Sequence, residues 1–297
     1  MKDKIAFVTV LDDNYIKGFF TTVISLLECS PNFDYDIVIL DWGGLNDENK
    51  KKIKQFYNKV IFKKIEKEIY DKCKYDSTYR TWHYNCNYRF DIFLMSEYDK
   101  IIFFDCDIIF QLSAEELLSY DVDFGACEAM ENGVVQINKK IGFDAGLMII
   151  GKKYINKNVF DSLINISLSK PPIDEKINFK SDFWVSDEPI LNTYFLDKIT
   201  WIPDKFNFLF SKMDFNKIKN KLNIQFTGHN KPWFEGGIEE KFSKFTIETI
   251  SKNTNNQLKT TLIFKKALNL YKKQVDLLKN KNIYIDDIKV FNNPSYI

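Results

Sequence analysis

Six short runs of large apolar residues punctuate the chain, at Ile5 to Leu11, Asp36 to Leu40, Val60 to Ile65, Lys100 to Phe104, Phe124 to Cys127 and Leu147 to Ile150. Runs this brief, lacking helical spacing, read as strands buried on both faces. Between them the apolar positions recur at helical intervals, predicting helices over about Ile16 to Glu28, Asp47 to Tyr57, Tyr88 to Ser96 and Lys153 to Leu168. Such alternation predicts an α/β fold, a mainly parallel sheet flanked by helices. No internal repeat is visible. Lys170-Pro171-Pro172 marks a loop, and the stretch from there to Lys180 is the expected cover over a ligand.

The fourth run ends in charge: Ile101-Ile102-Phe103-Phe104-Asp105-Cys106-Asp107. Ionised carboxylates are too costly to bury unpaired, so this strand must reach the sheet edge there, where something positive meets it. Strand alternation sends Asp105 and Asp107 to one side and Cys106 to the other. The pair can supply hard oxygen ligands to Mg²⁺ or Mn²⁺; it can equally open a turn, where aspartates are common.

Other polar stretches follow apolar runs in the same way. The first strand stops at Asp12-Asp13-Asn14-Tyr15, at the carboxyl end of a strand, where open α/β sheets bind ligands. Phe143-Asp144-Ala145-Gly146 sets a carboxylate and two small residues ahead of an apolar run, allowing a close approach. Further on come Ser186-Asp187-Glu188-Pro189-Ile190-Leu191-Asn192 and Gln225-Phe226-Thr227-Gly228-His229-Asn230-Lys231-Pro232-Trp233.

These segments, in this order from about Ile5 to Trp233, resemble retaining glycosyltransferases of family 8, the group of glycogenin and the bacterial lipooligosaccharide galactosyltransferases. The resemblance implies a GT-A, Rossmann-like fold, a UDP-sugar donor, a divalent metal (Mn²⁺ or Mg²⁺), an oligosaccharide or glycolipid acceptor, and transfer of a hexose with retention. It places Asp12, Asn14 and Tyr15 at the uracil, with Val10 offering only backbone. Arg89, Cys106, Glu128, Asp144, Ala145, Gly228 and Lys231 fall at other donor-binding positions, the lysine at the diphosphate. Asp105, Asp107 and Gln225 fall at the metal positions, and Glu188 with Asp187 at the catalytic ones. Arg89 read alone can also pair with Asp91 or Glu97 on a helix surface.

Three departures from the family pattern carry chemical meaning. Gln225 stands at the metal-binding histidine, and an amide oxygen is the weaker ligand; His229 can substitute if its loop turns back. Glu188 stands where the galactosyltransferases have glutamine. A glutamate can serve as a nucleophile or stabilise an oxocarbenium-like ion from one side, so both retaining routes stay open. It can also simply begin a helix, as acids in a first turn do. Asp144 and Glu128 replace a family asparagine and aspartate that bind sugar hydroxyls, which leaves the sugar open.

Composition narrows the picture. A chain of 297 residues, 45% hydrophobic, supports a substantial core. A net charge of +1 gives no reason to invoke nucleic acid. Five cysteines without paired spacing suit reduced thiols and a cytoplasmic compartment, and no signal peptide or bilayer-length apolar run is expected. Aromatic residues reach 16%, with a cluster at Tyr79 to Tyr84 that suits an acceptor sugar or a core; His83 within it is a candidate base or a structural residue.

After Trp233 the pattern changes. Residues 1–250 read as the catalytic domain and 251–297 as a helical appendage. From Leu258 to Lys281, Ile263, Ala267, Leu270, Tyr271, Gln274 and Leu278 share one side, with lysines elsewhere. Such a helix either lies on an anionic membrane surface, at the inner face, or packs on the parent domain. Two further classes remain open: a catalytically weak UDP-sugar-binding protein, and a self-glycosylating protein like glycogenin.

Overall fold

A computed structural model describes residues 3–73, 86–129, 136–137, 140–169, 187–209, 221–226, 231, 233 and 269–284. The six apolar runs all become strands: β1 (Ile5–Val10), β2 (Asp36–Asp41), β3 (Val60–Lys64), β4 (Lys100–Phe104), β6 (Phe124–Glu128) and β9 (Phe143–Gly151). With the short β10 (Thr200–Trp201) they form a seven-stranded sheet in the order β10-β6-β9-β4-β1-β2-β3. Four of its pairings are parallel; β9 alone runs antiparallel to both neighbours. Strand β5 (Ile108–Ile109) joins β12 (Ile224–Gln225) and β11 (Phe208–Leu209) in a second, three-stranded sheet, and β7 (Gln136–Ile137) pairs with β8 (Lys140–Ile141).

Alternation along the strands splits the core in two. Phe7, Ile37, Ile39, Ile102, Phe104 and Ile149 face one layer, while Val8, Val38, Leu40, Ile101, Phe103 and Met148 face the other. Helices α1 (Ile16–Cys29), α2 (Asp47–Phe56) and α4 (Ala114–Leu118) pack on the first face. Helices α3 (Lys67–Asp71), α5 (Lys157–Leu168) and α6 (Asp187–Phe195) pack on the second. There Phe195 lies flat on Phe124, ring centroids 3.9 Å apart at 5°, pinning α6 to the sheet. Such an aromatic pair adds about 0.5–1.5 kcal/mol beyond its area.

The helix expected from Lys153 begins only at Lys157, after the 3-10 turn Lys152–Tyr154 and with Asn156 as its cap, and two other predicted elements differ too. The segment read as an α-helix from Tyr88 is a 3-10 helix, Asn87–Leu94, with residues 87–93 all buried. Wedged between the sheet, α5 and α6, it has no solvent face and no amphipathic period to follow. Strand β9 begins four residues before its predicted start, because the Asp144 carboxylate is satisfied in place: Gly146 N (2.8 Å) and Asn207 Nδ2 (2.7 Å) donate to it.

The predicted boundary at 250/251 and residues 258–268 lie outside the described residues. Residues 269–280 form a helix, α7, whose Leu278 is fully buried in the first core layer, beside partly buried Tyr271, Val275 and Leu277. Burying one such leucine stabilises by about 1.5–3 kcal/mol. The apolar side of α7 is therefore turned to the parent domain; what it presents outward is Lys272, Lys273, Lys279 and Lys281. No helix among the described residues is long and apolar enough to cross a membrane.

Candidate active site

The parallel strands β1, β2, β4 and β6 deliver their carboxyl ends to one edge, and antiparallel β9 delivers its beginning there. Topology thus gathers Asp12, Asp105, Asp107, Glu128 and Asp144 from positions far apart in the chain. Small-sheet register adds another residue. Gln225 pairs with Ile108 across β12 and β5, and Phe226 N donates to Asp107 O at 2.9 Å, so Gln225 stands beside the aspartates.

Arg89 organises the centre. Its Nη1 donates to Ala145 O (2.8 Å), its Nη2 meets Asp105 Oδ1 (3.3 Å), and its Nε lies 2.7 Å from Asp187 Oδ2. The guanidinium also sits over the Phe103 ring, 4.6 Å from its centroid. Burial opposes its charge, but Asp187 and Asp105 more than offset this and hold it protonated. The alternative pairing with Asp91 is not what forms: Asp91 takes the Tyr70 hydroxyl instead. A fixed fork reaching three elements is what arginine, not lysine, can provide.

On the other side of Asp105, Gln225 Nε2 donates to its Oδ2 at 3.0 Å. Lys231 donates to Asp107 Oδ2 and to Phe226 O. Asp107 Oδ1 and Gln225 Oε1 are among the buried acceptors of the described residues left without a hydrogen bond, as are Asp187 Oδ2 and Asn207 Oδ1. Leaving such an oxygen unsatisfied costs about 1–3 kcal/mol, and a cation beside those of Asp107 and Gln225 would satisfy them. The carboxylates of Asp105 and Asp107 offer oxygen atoms that fit a hard divalent cation, while Gln225 turns its Nε2 toward Asp105. Burial pushes the Asp105 carboxyl up to about 8, Arg89 pulling against the rise and Asp107 adding to it.

Cys106 faces away, as alternation predicts: its Sγ lies 3.1 Å from Thr9 Oγ1, in the first core layer. A ligand at this position meets only its backbone. Gly18 on α1 allows that turn to come close, since a Cβ there would overlap Cys106 O and the Trp233 ring.

The loop after β1 is built by Asp12, whose Oδ1 accepts from Asn14 N (2.9 Å) and Tyr15 N (3.2 Å). That leaves α1 without a side-chain cap and sets Tyr15 at the helix entrance, where Asp107 contributes to raising its phenol pKa after burial. Val10 ends β1, and its carbonyl accepts from Cys106 Sγ at 3.8 Å.

Beyond Arg89 lie the remaining acids. Asp187 is buried, and its carboxyl is pushed up by burial against the pull of Arg89. Half-buried Glu188 is pushed well above the ordinary glutamate range, first by burial and then by Asp144 and Asp187. Glu128 is exposed at the end of β6, just past a register irregularity. Asn207 is a residue that the sequence did not flag: fully buried, it orients Asp144, and its only signal is an asparagine between Phe206 and Phe208. Gly228, His229, His83 with the Tyr79 to Tyr84 cluster, and the cover from Lys170 to Lys180 lie outside the described residues.

Gly146 explains how Gln225 reaches Asp105. A Cβ at this position would overlap the Gln225 carboxamide, so Gly146→Ala is expected to displace that amide and weaken Mn²⁺ affinity severalfold. Calorimetric Mn²⁺ titration checks this; an unchanged affinity would remove Gln225 from the metal site.

A mixed, mainly parallel sheet with a D-x-D turn, an arginine-linked second pair of acids and a lysine at one edge defines a GT-A glycosyltransferase. The chain belongs to glycosyl transferase family 8, whose model matches residues 6–237. Its fold is similar to that of the galactosyltransferase LgtC, solved with donor and acceptor sugar analogs: TM-score 0.63, 18% identity, covering 81% of this chain and 94% of that one. GlyE of Streptococcus pneumoniae TIGR4 gives a TM-score of 0.56 at 18% identity, covering 95% and 65%. In sequence the chain is 21% identical over 240 residues to the glycosyltransferase GlyF of Streptococcus pneumoniae serotype 4, or 76% of this chain. It spans only 56% of the length of that relative.

Proposed function

We propose that the chain transfers a hexose from a UDP-sugar to a glycan acceptor, with a divalent cation and with retention. The observation that carries this reading is the pair of unsatisfied buried oxygens, Asp107 Oδ1 and Gln225 Oε1, beside the Asp105 carboxylate. A half-turn of the Gln225 amide would turn its oxygen toward Asp105, an arrangement that a cation held between them would favour. When bound, such a cation supplies Lewis-acid stabilisation of the departing diphosphate.

The chain's own groups divide the remaining work. Asp12, Asn14 and Tyr15 hold the base, with the Tyr15 ring as a stacking face. Lys231 meets the diphosphate on leaving Asp107. Arg89 fixes Asp105 and Asp187 with respect to each other, and so orients donor phosphate against donor sugar. Glu188 and Asp144 face the sugar, and Glu188 stabilises positive charge at the anomeric carbon or attacks it. In a front-side route the leaving phosphate oxygen takes the acceptor proton, so no protein base is required.

The acceptor belongs to a surface glycan, such as lipopolysaccharide or capsule, built in the cytoplasm. Any contact with an anionic membrane face would run through the outward lysines of α7, its apolar side being committed to the core.

Hydrolysis screened over a panel of nucleotide-sugars, with Mn²⁺, Mg²⁺ or chelator, tests the proposal. One UDP-sugar should be consumed only with metal; UDP binding without turnover under every metal would favour a binding protein. Gln225→His is expected to tighten Mn²⁺ binding, as imidazole replaces an amide oxygen. An unchanged metal titration would place residue 225 outside the coordination sphere.

A further inference from the structure

Asn192, one helical turn beyond Glu188, takes no part in that scheme, yet it ties α6 to the start of the strand that carries Asp144. It is fully buried. Its Oδ1 accepts from Phe143 N at 2.8 Å, and its Nδ2 donates to Phe143 O at 2.9 Å and to Glu188 O at 3.0 Å. One carboxamide thus bonds both backbone groups of a single residue, the pattern a neighbouring antiparallel strand would make. Strand β4 pairs with β9 only as far as Leu147, and at Phe143 the Asn192 side chain stands in a strand's place.

The residues so joined are telling. Phe143 immediately precedes Asp144, and Glu188 carries the second sugar-facing carboxylate. Apolar packing by Ile190, Leu191 and Phe195 presses α6 onto the sheet, but packing is non-directional and tolerates small slides along the interface. Directional bonds from the Asn192 carboxamide resist such a slide, while Asn207 Nδ2 fixes Asp144 itself.

We infer that Asn192 is a positioning residue, which sets the Glu188 carboxylate against Asp144 and hence against the reacting sugar carbon. This rests on the donor-sugar reading above. Displacing a reacting group by about 1 Å can cost about 10²-fold in rate. Loss of the tie is therefore expected in turnover and not in nucleotide affinity, because the base loop and diphosphate residues sit on other elements.

The test compares full-length Asn192→Ser with a packing control, Phe195→Leu, chosen because it weakens the same helix–sheet contact without touching the tie. Turnover of the donor that the wild type hydrolyses, UDP affinity and melting temperature are measured for each. Asn192→Ser should lose about 10- to 100-fold in kcat with UDP affinity within about twofold of wild type. Phe195→Leu, at a comparable loss of melting temperature, should keep kcat within about threefold. Near-wild-type kcat in Asn192→Ser, or an equal loss in the control, overturns the inference. Should the serine variant not fold, Asn192→Gln, which keeps the carboxamide but moves it by a methylene, takes its place with the same readings. A wild-type chain that binds no UDP defeats the underlying reading; one that turns over donor, with Asn192→Ser equally active, defeats this inference alone.

Discussion

Asp107→Asn is expected to lower metal-dependent donor turnover by about 10³-fold, since a cation's charge stabilisation at a phosphoryl oxygen amounts to several kcal/mol. Asp105→Asn should do the same. Asparagine at 107 removes the same charge as alanine but keeps a side-chain oxygen that can accept from Lys231. Lys231 and Asp107 form a buried pair, with side-chain exposures of 7% and 9%. Removing one partner of such a pair leaves an uncompensated charge and destabilises by about 3–5 kcal/mol. Both substitutions at 107 are thus expected to lose stability as well as activity, Asp107→Ala the more. Turnover against Mn²⁺ concentration, alongside thermal melting, separates the two effects. Wild-type turnover with normal metal dependence in Asp107→Asn would dismiss the site.

Glu188→Gln should bind UDP normally and turn over about 10²-fold more slowly, the size of a single electrostatic group used in the transition state. The pH profile adds a sign. Burial, Asp144 and Asp187 all raise the Glu188 pKa, so its carboxylate form is reached only at pH values above the ordinary glutamate range. Wild-type kcat should therefore climb with pH through that raised value, and the glutamine variant should lack this limb. A residue that merely began a helix would leave both the rate and the profile unchanged. A glycosyl adduct trapped on Glu188 would select double displacement over front-side attack.

Much of this architecture was legible in the residues. Each apolar run became a strand because a short run of mostly apolar residues, too brief for a helix, is buried by lying in a sheet between helices. The D-x-D turn declared itself because charge follows so abruptly on Phe103 and Phe104. What could not be read was whatever depended on partners remote in sequence. The direction of β9 is one example: Asp144, Ala145 and Gly146 look like a loop until Asn207, 63 residues on, satisfies the carboxylate. The 3-10 segment is another, because burial on all sides erases the periodicity from which helices are recognised. Asn192 was visible only as the end of a motif, its role depending on the backbone of Phe143. The lysines of α7 suggested a membrane face as readily as a solvated one, until Leu278 was found in the core.

The three-way grip of Arg89 has a consequence for redesign. One rigid guanidinium donates to Asp105 and to the Ala145 carbonyl and is ion-paired with Asp187, so re-aiming it for any one of the three disturbs its contacts with the others. They behave as a chassis. Asp144 and Glu128 are not among the groups that guanidinium holds. On the function proposed above, exchanging one sugar for another is then a matter of refitting these two acids while Arg89 keeps Asp105 and Asp187 in place.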